Sequence, residues 1–188
     1  FNNIISEYSG ISHIEGAGNI ISEYSGTSHI EGSNNIIYAY SHDSHAEGVN
    51  NKIYAYESHI EGVNNEIGVN AYNSHIEGKS NTTLGELSHI EGVNNTIYAY
   101  SYCSHVEGFG NISNGEFQHV AGKFNNLSST SARITGWGED DNNRKNIETL
   151  DTNGSLWVAG DIYTGNNTYY GLSKVNGAYP QIDLGKTN

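Results

Sequence analysis

A histidine and a glutamate recur two residues apart in a Ser-His-x-Glu-Gly motif that the chain carries seven times. An imidazole beside a carboxylate can transfer protons, and several imidazoles together can bind a transition metal. Catalysis, however, needs one preorganised set of groups in a pocket and gives no reason to copy that set along the chain. The repetition therefore favours a structural role. The motifs begin at Ser12, Ser28, Ser44, Ser58, Ser74, Ser88 and Ser104.

The spacing of the motifs indicates the fold. Successive motifs, including a decayed copy at Gln118, are separated by 16, 16, 14, 16, 14, 16 and 14 residues. This period matches one coil of a β-solenoid built from two short strands and two turns. Every step is even, and because side chains alternate between the faces of a strand, even steps keep each motif residue on one face.

Two further rows run in phase with the motif. An asparagine stands three residues after each motif glycine, and we predict that these side chains form a ladder at a repeated turn. The asparagines are Asn19, Asn35, Asn51, Asn65, Asn81, Asn95, Asn111 and Asn125. Two residues further on is a mostly apolar row. Each coil is thus predicted as one strand at the motif, a turn, and a second strand such as Thr-Ile-Tyr-Ala-Tyr. The extra pair of the longer coils, for example Tyr102-Cys103, is expected near the second turn.

The central residue of the motif is apolar and shares a face with Ser and Gly, whereas His and Glu share the opposite face. We expect the histidines to stack about 4.8 Å apart, as neighbouring strands do. They are His13, His29, His45, His59, His75, His89 and His105. The paired glutamates are Glu15, Glu31, Glu47, Glu61, Glu77, Glu91 and Glu107. We favour hydrogen bonds between the two rows, within or between chains. The alternative is a transition metal held on a symmetry axis by histidines from three chains.

Only two or three apolar side chains per coil are available to fill a core, which is little for a single chain. Self-association would bury one outer face of each ribbon. The predicted fold class is therefore all-β: a parallel β-roll or β-solenoid with 14- and 16-residue coils, an intertwined homotrimer and a C-terminal β-hairpin cap.

Tyrosines form two further lines. Tyr24, Tyr40, Tyr56 and Tyr100 continue from Tyr8, and a second line holds Tyr38, Tyr54 and Tyr98. Stacked aromatic rings stabilise a solenoid simply by packing, which is the interpretation we favour. Exposed rings can also lie against sugars, so Tyr24, Tyr40, Tyr56 and Tyr100 are the candidates for glycan contact.

The motifs of residues 1–127 resemble the β-roll repeats of trimeric bacterial adhesin heads. They are still more similar to the Ser-His-Ala-Glu-Gly repeats of bacteriophage tail fibres and appendages. The segments GEFQHVAGKFN and RKNIETLDTNGSLWVAGDIYTG resemble sequences that follow such repeats in phages of Gram-positive bacteria. The resemblance implies a homotrimeric structural protein of the virion tail. Its implied partners are two identical chains, other tail proteins and a host cell-surface glycan or protein receptor. A bacterial adhesin head is the alternative.

Three segments are expected: the repeats of 1–127, a β segment of 128–165 and an irregular tail of 166–188. The turn Asp151-Thr152-Asn153-Gly154 predicts a hairpin. Its apolar residues are expected to be buried between chains. They are Ile147, Leu150, Leu156, Trp157, Val158 and Ile162. Because the chain has no Met, we expect Phe1 to be an internal residue of a longer protein.

Composition argues against other functions. The formal charge of −13, from 8 basic and 21 acidic residues, disfavours nucleic acid or an anionic membrane as a partner. No apolar run is long enough to insert into a membrane. The acidic run of residues 139–143 lacks the spacing of a calcium-binding loop and is expected to be solvated. Asp140, Asp141 and Asp151 are the candidates for a polysaccharide-degrading tailspike, but no motif surrounds them. We therefore expect neither enzymatic activity nor a cofactor.

Overall fold

A computed structural model describes residues 2–160 and the backbone of residues 162–164 and 168–170. It confirms the all-β solenoid: parallel coils stack along one direction, with about one motif per coil. The chain divides into two units, residues 1–157 and residues 158–188. The described part contains no helix that is long and apolar enough to cross a membrane.

Eight short strands make one parallel sheet, in which each strand pairs with the corresponding strand of the next coil. They are β1 (Ile4–Ile5), β3 (Ile20–Ile21), β5 (Ile36–Ile37), β7 (Lys52–Ile53), β9 (Glu66–Ile67), β11 (Thr82–Thr83), β13 (Thr96–Ile97) and β15 (Ile112–Ser113). We call this the short-strand sheet.

The motifs themselves make a longer sheet of 11 strands, which we call the motif sheet. Its parallel strands are β2 (His13–Ala17), β4 (His29–Ser33), β6 (His45–Val49), β8 (His59–Val63), β10 (His75–Lys79), β12 (His89–Val93), β14 (His105–Phe109), β16 (His119–Lys123) and β17 (Ser131–Trp137). The register places like on like, for example His75 beside His89 and Glu77 beside Glu91. The even coil lengths therefore preserve the register.

The core lies between the two sheets, and most coils contribute to it one buried side chain from each sheet. The central motif residues from Ile30 to Val120 are fully buried, and so are the facing isoleucines from Ile21 to Ile97. Serines and asparagines fill the ends of this narrow interior: Ser44, Ser88, Asn51 and Asn95 are all at most 3% exposed. Buried polar side chains need hydrogen-bond partners, so these rows must bond to neighbouring coils.

The second strand is shorter than predicted, because it ends where the two coil lengths diverge. The extra pair of the last 16-residue coil is Ala99-Tyr100, not Tyr102-Cys103. Ser101 is buried and its N–H donates to Tyr98 O, 3.2 Å away, closing a tight turn over the exposed pair. Tyr100 takes a φ of +67° in this turn, as the third position of a type II turn requires. In the 14-residue coils the pair is missing, and Ala55 or Gly85 takes the buried position directly.

The parallel register extends past residue 127, where the repeats were expected to end. β17 lies parallel to β16, with Ile134 beside Val120 and Gly136 beside Gly122. The change of direction comes one strand later, at β18 (Asn146–Asp151), which is antiparallel to β17. β19 (Leu156–Val158) follows, as expected, after a turn at Asp151 to Gly154.

The apolar residues of this hairpin are incompletely covered by their own chain. Leu156 is 54% exposed and Trp157 is 51% exposed, while Ile147 and Leu150 are half-buried. In the second unit, β20 (Ile162–Thr164) and β21 (Thr168–Tyr170) form an antiparallel pair. The Ile162 side chain and most of the predicted tail of 166–188 lie outside the described residues.

Candidate functional site

The histidines of the motif sheet form one continuous row on its outer face. From His29 to His119, neighbouring rings are stacked with centroids 4.7 to 5.1 Å apart and planes within 16° of parallel. His13, in the first motif, instead meets His29 edge-on at 75°. The stacking distance is the spacing between parallel strands, so it follows from the register alone.

Each glutamate lies beside the histidine of its own strand in most coils. The distance from His Nε2 to Glu Oε1 is 3.0 Å for His13 and Glu15 and 3.6 Å for His89 and Glu91. His119, whose own motif has Ala121 in place of glutamate, lies 3.3 Å from Glu107 in the preceding coil. The two rows therefore contact each other within one chain.

Burial and repulsion from neighbouring histidines lower the pKa of two members of the row, His59 and His105. The pKa of His59 is lowered from its ordinary 6.5, first by burial and then by the neighbouring His45 and His75. The nearby Glu61 and Glu47 partly oppose this effect. The pKa of His105 is lowered by burial and by its own two histidine neighbours. Six Nε2 atoms of the row are buried without a hydrogen bond to any described residue. They belong to His29, His45, His59, His75, His89 and His105.

The row brings possible metal ligands close together, but their ligand atoms do not point toward one common metal position. His75, Glu77 and His89 offer atoms within 4.8 Å of one another, and so do His89, Glu91 and His105. An imidazole nitrogen binds a metal in the plane of its ring, at about 2.0–2.1 Å for zinc. The rings of His75 and His89 are within 2° of parallel, so their lone pairs point the same way and cannot meet at one ion. Binding by histidines from three chains involves partners beyond this chain and stays a prediction.

The asparagine ladder holds the coils together from inside. Asn95 Nδ2 donates to Glu91 O at 2.8 Å and to Gly108 O of the next coil at 2.9 Å. Its Oδ1 accepts the backbone N–H of Asn111 at 2.9 Å. The ladder lies at a repeated turn, as predicted, but its asparagines do not have the left-handed conformation that a turn often requires. The left-handed residue is instead the one before it, such as Asn94 with a φ of +57°.

The motif glycine has a structural role that the sequence analysis did not identify. Its φ lies between +89° and +118° in all eight copies. A Cβ at Gly92 would stand 2.2 Å from the carbonyl oxygen of Gly108 in the next coil. Only glycine permits both this conformation and this approach. The recurrence of glycine at the end of every motif was the feature of the sequence from which this role could have been predicted.

The tyrosines form two stacks rather than the single line predicted from Tyr8 to Tyr100. Tyr8, Tyr24 and Tyr40 stack at 5.0 and 5.1 Å. Tyr56 belongs to a different row, because its coil lacks the extra pair. It stacks instead between His42 at 5.1 Å and Tyr72 at 4.1 Å. Tyr40 and Tyr100, at the tips of the long coils, are 68% and 77% exposed.

The second predicted line of tyrosines is interrupted. Tyr38 and Tyr54 stack at 3.9 Å, and the next two coils place Gly68 and Leu84 at the equivalent position before Tyr98. The pKa of Tyr54 is raised to about 12, first by the adjacent Tyr38 hydroxyl, then by burial and by the negative charge of Glu66. Its hydroxyl is therefore protonated at neutral pH.

The acidic candidates near the end of the solenoid are engaged in local structure. Asp140 accepts hydrogen bonds from Asn142 and Asn143, and the side-chain bond from Asn143 is the main reason why its pKa is lowered. Asp151 accepts a bond from Ser131 Oγ at 2.7 Å. Asp141 is paired with Arg144.

Arg144, which sequence analysis did not single out, closes the last coils. Its side chain is only 15% exposed, and Nη1 donates to Gly110 O at 2.8 Å and to Asn125 O at 3.2 Å. The guanidinium also lies over the Phe124 ring, 5.7 Å from its centroid. The acidic segment is thus tied to the end of the solenoid through this arginine.

No protein-family model matches the chain, and no curated protein is detectably similar to it in sequence. Any proposal about its function therefore depends on the fold, the geometry of its rows and the motifs of its repeats.

Proposed function

We propose that this chain is part of a homotrimeric, rod-like tail fibre or appendage of a phage virion, used for attachment to the host surface. The observation that supports it best is the uninterrupted parallel register from β2 to β17, in which the same residue types are stacked coil after coil. Such a structure makes a stiff rod of definite length, which suits a part that transmits or presents a binding site. The resemblance of the repeats to phage tail-fibre repeats supports the same function.

The outer face of the motif sheet is the surface that we expect to meet the other two chains. Beside the histidine and glutamate rows runs a row formed by the last residue of each strand, which is often apolar. Val49 and Val63 are 38% and 37% exposed, Phe109 is 41% exposed, and Trp137 is 60% exposed. Ser33, Lys79 and Lys123 interrupt this row, and burying its apolar members stabilises an assembly by roughly 25 cal/mol for each Å² removed from water.

The solution mass of the chain tests the assembly. We expect three times the monomer mass of 20.4 kDa by light scattering after gel filtration. Val63→Asp, on the motif sheet, should lower the mass to that of the monomer, because it places a charge in the proposed interface. Val69→Asp is the matched control, since Val69 is 64% exposed and belongs to an outer turn. A monomeric wild-type chain would contradict the trimer.

Attachment is tested separately with the assembled protein. A fluorescently labelled trimer should bind to a subset of a panel of Gram-positive bacteria and should compete with the corresponding phage for adsorption. Genes for tail and lysis proteins beside its own gene would distinguish the phage fibre from a bacterial adhesin head. A trimer that binds none of the bacteria would restrict the chain to the role of a shaft.

A further inference from the structure

A groove of about 600 Å³ lies on the side of the solenoid away from the described motif rows, among the outer turns. Tyrosines from three coils, Tyr54, Tyr72, Tyr100 and Tyr102, contribute its aromatic surface. Two carboxylates, Glu66 and Glu86, also line it. A groove of this size that combines aromatic rings with a few polar groups has the usual character of a small-molecule or sugar site.

The groove exists because the row of tyrosines that begins with Tyr38 and Tyr54 is interrupted. Where the next coil would carry a third ring, it has Gly68, and the coil after that has Leu84. Leu84 leans over the glycine, since a Cβ at position 68 would stand 2.4 Å from Leu84 Cδ2. The missing ring leaves a gap above Tyr54 that the side chains of the neighbouring coils do not fill.

The alternation of coil lengths supplies the walls. The coil from Ser74 to Ser88 has 14 residues, and both of its neighbours have 16. The extra pairs of those neighbours, Val69-Asn70 and Ala99-Tyr100, project on either side of the short coil and line the groove. Tyr72 is held in place at one wall by a hydrogen bond from its hydroxyl to Asn70 Oδ1 at 2.7 Å.

The groove itself carries negative charge, and the nearest basic residue along the sheet, Lys52, which is the register partner of Glu66, does not line it. Neither Glu66 nor Glu86 forms an ion pair or a side-chain hydrogen bond with any described residue, and none of the residues that line the groove is basic. The chain as a whole has a formal charge of −13. A cation therefore gains from the carboxylates, while an anionic ligand is repelled. Tyrosine rings add attraction for an ammonium group and for the apolar face of a sugar ring.

We propose that this groove binds an amino sugar, through its protonated amino group and one face of its ring, within a surface polysaccharide. The proposal rests on the attachment function above and names the class of ligand that would be recognised. The carboxylates of Glu66 and Glu86 hold the ammonium group and the hydroxyls, and the tyrosines pack against the ring. An N-acetylated sugar lacks the charge and should bind much more weakly.

A pair of matched oligosaccharides tests the ligand class. We expect calorimetry or NMR titration to show binding of a glucosamine tetramer, and at least about tenfold weaker binding of the N-acetylglucosamine tetramer, since a hydrogen bond to a charged group is worth about 1.5–3 kcal/mol. Equal affinity for the two oligomers, or no binding of the first, would overturn the proposal.

Substitutions localise the binding. Gly68→Tyr should abolish it by filling the groove. The added Cβ would stand 2.4 Å from Leu84 Cδ2, so the end of the Leu84 side chain must rotate away, and the variant should fold because the equivalent positions in nearby coils already carry Tyr54 and Tyr98. The substitution leaves the net charge of the protein unchanged. If the cationic sugar were attracted only non-specifically to an acidic protein, this variant would therefore bind it as well as the wild type does. Glu86→Gln should weaken binding about tenfold. Glu116→Gln, an exposed glutamate at the equivalent position two coils away, is the control and should leave binding intact.

The cell-binding assay separates this site from the attachment function. If the wild-type trimer and Gly68→Tyr bind bacteria equally well, attachment stands and the groove is not its site. If the wild type binds the glucosamine tetramer but no bacteria, the groove is a sugar site and the attachment function is wrong. A melting curve of Gly68→Tyr that matches the wild type excludes unfolding as the cause of lost binding.

Discussion

The motif sheet and the outer turns of this solenoid follow opposite rules. Along the motif sheet every coil repeats the same residues in the same register, with histidine on histidine and glycine on glycine. At the outer turns the coils differ in length, and tyrosine, glycine, leucine and glutamate replace one another at equivalent positions. The comparison shows that repetition marks the residues that build the rod, whereas the differences between coils create the one groove that we assign to a ligand.

This contrast predicts that the motif sheet tolerates substitution least at its glycines. Gly92→Ala should lower the free energy of unfolding by more than about 4 kcal/mol or prevent folding. A Cβ there would stand 2.2 Å from a backbone oxygen that the register fixes, at a φ of +107°. Gly160→Ala, where an added Cβ has nothing within 4 Å, is the control and should be nearly neutral. Chemical denaturation of the two variants provides the comparison.

Two adjacent asparagines should differ in the same way. Asn95→Ala removes three hydrogen bonds that join two coils and leaves their backbone groups unsatisfied, which should destabilise the protein by roughly 3 kcal/mol or more. Asn94→Ala changes only an exposed residue in a left-handed turn and should cost about 1 kcal/mol. Equal losses in the two variants would show that the buried ladder does not hold the coils together.

Acid should weaken the motif sheet. Because folding lowers the pKa of His59 and His105 below their ordinary 6.5, the unfolded chain binds protons more readily than the folded chain. Stability is therefore complete above pH 6.5 and falls as the pH drops below 6.5 toward the lowered values. We expect a lower melting temperature at pH 5.5 than at pH 7.5.

The histidine row can be tested as the source of this pH dependence. His59→Gln should reduce the difference in melting temperature between the two pH values, because it removes one of the two rings whose pKa is lowered by folding. A melting temperature that rises on acidification would contradict the expected sign.

The outer turns should accept a change of length at little cost. Deleting Ala39 and Tyr40 together converts a 16-residue coil into a 14-residue coil, with Ser41 following Tyr38 as Ala55 follows Tyr54. The deletion loses the stacking of Tyr40 on Tyr24 but also removes a tyrosine at an unfavourable φ of +66°, so the two effects offset and stability should change by no more than about 1 kcal/mol. Deleting Tyr40 alone should be far more disruptive, because it shifts the side-chain alternation by one residue. Thermal melts of both deletions distinguish the cases.

The sequence by itself determined the features that depend on period. The even steps between motifs specified a parallel solenoid, the burial of Ile30 and Ile90, and the outward direction of histidine and glutamate, because the two-residue alternation of a strand permits no other arrangement. The same reasoning located the asparagine ladder and the turn at Asp151 to Gly154. Each of these features is local, or repeats at a fixed distance along the chain.

Only the tertiary structure decided how coils of unequal length fit together. It placed the extra pair at Ala99-Tyr100, moved Tyr56 into the row of His42 and Tyr72, and continued the parallel sheet to Ile134. Both coil types contain Tyr-Ala-Tyr. In the short coil the alanine, Ala55, is buried, whereas in the long coil Ala99 is exposed and the buried residue is Ser101, two positions later. That choice is made by the coils stacked above and below. For the same reason the gap above Tyr54 becomes visible only when Gly68 and Leu84 are seen between their neighbours.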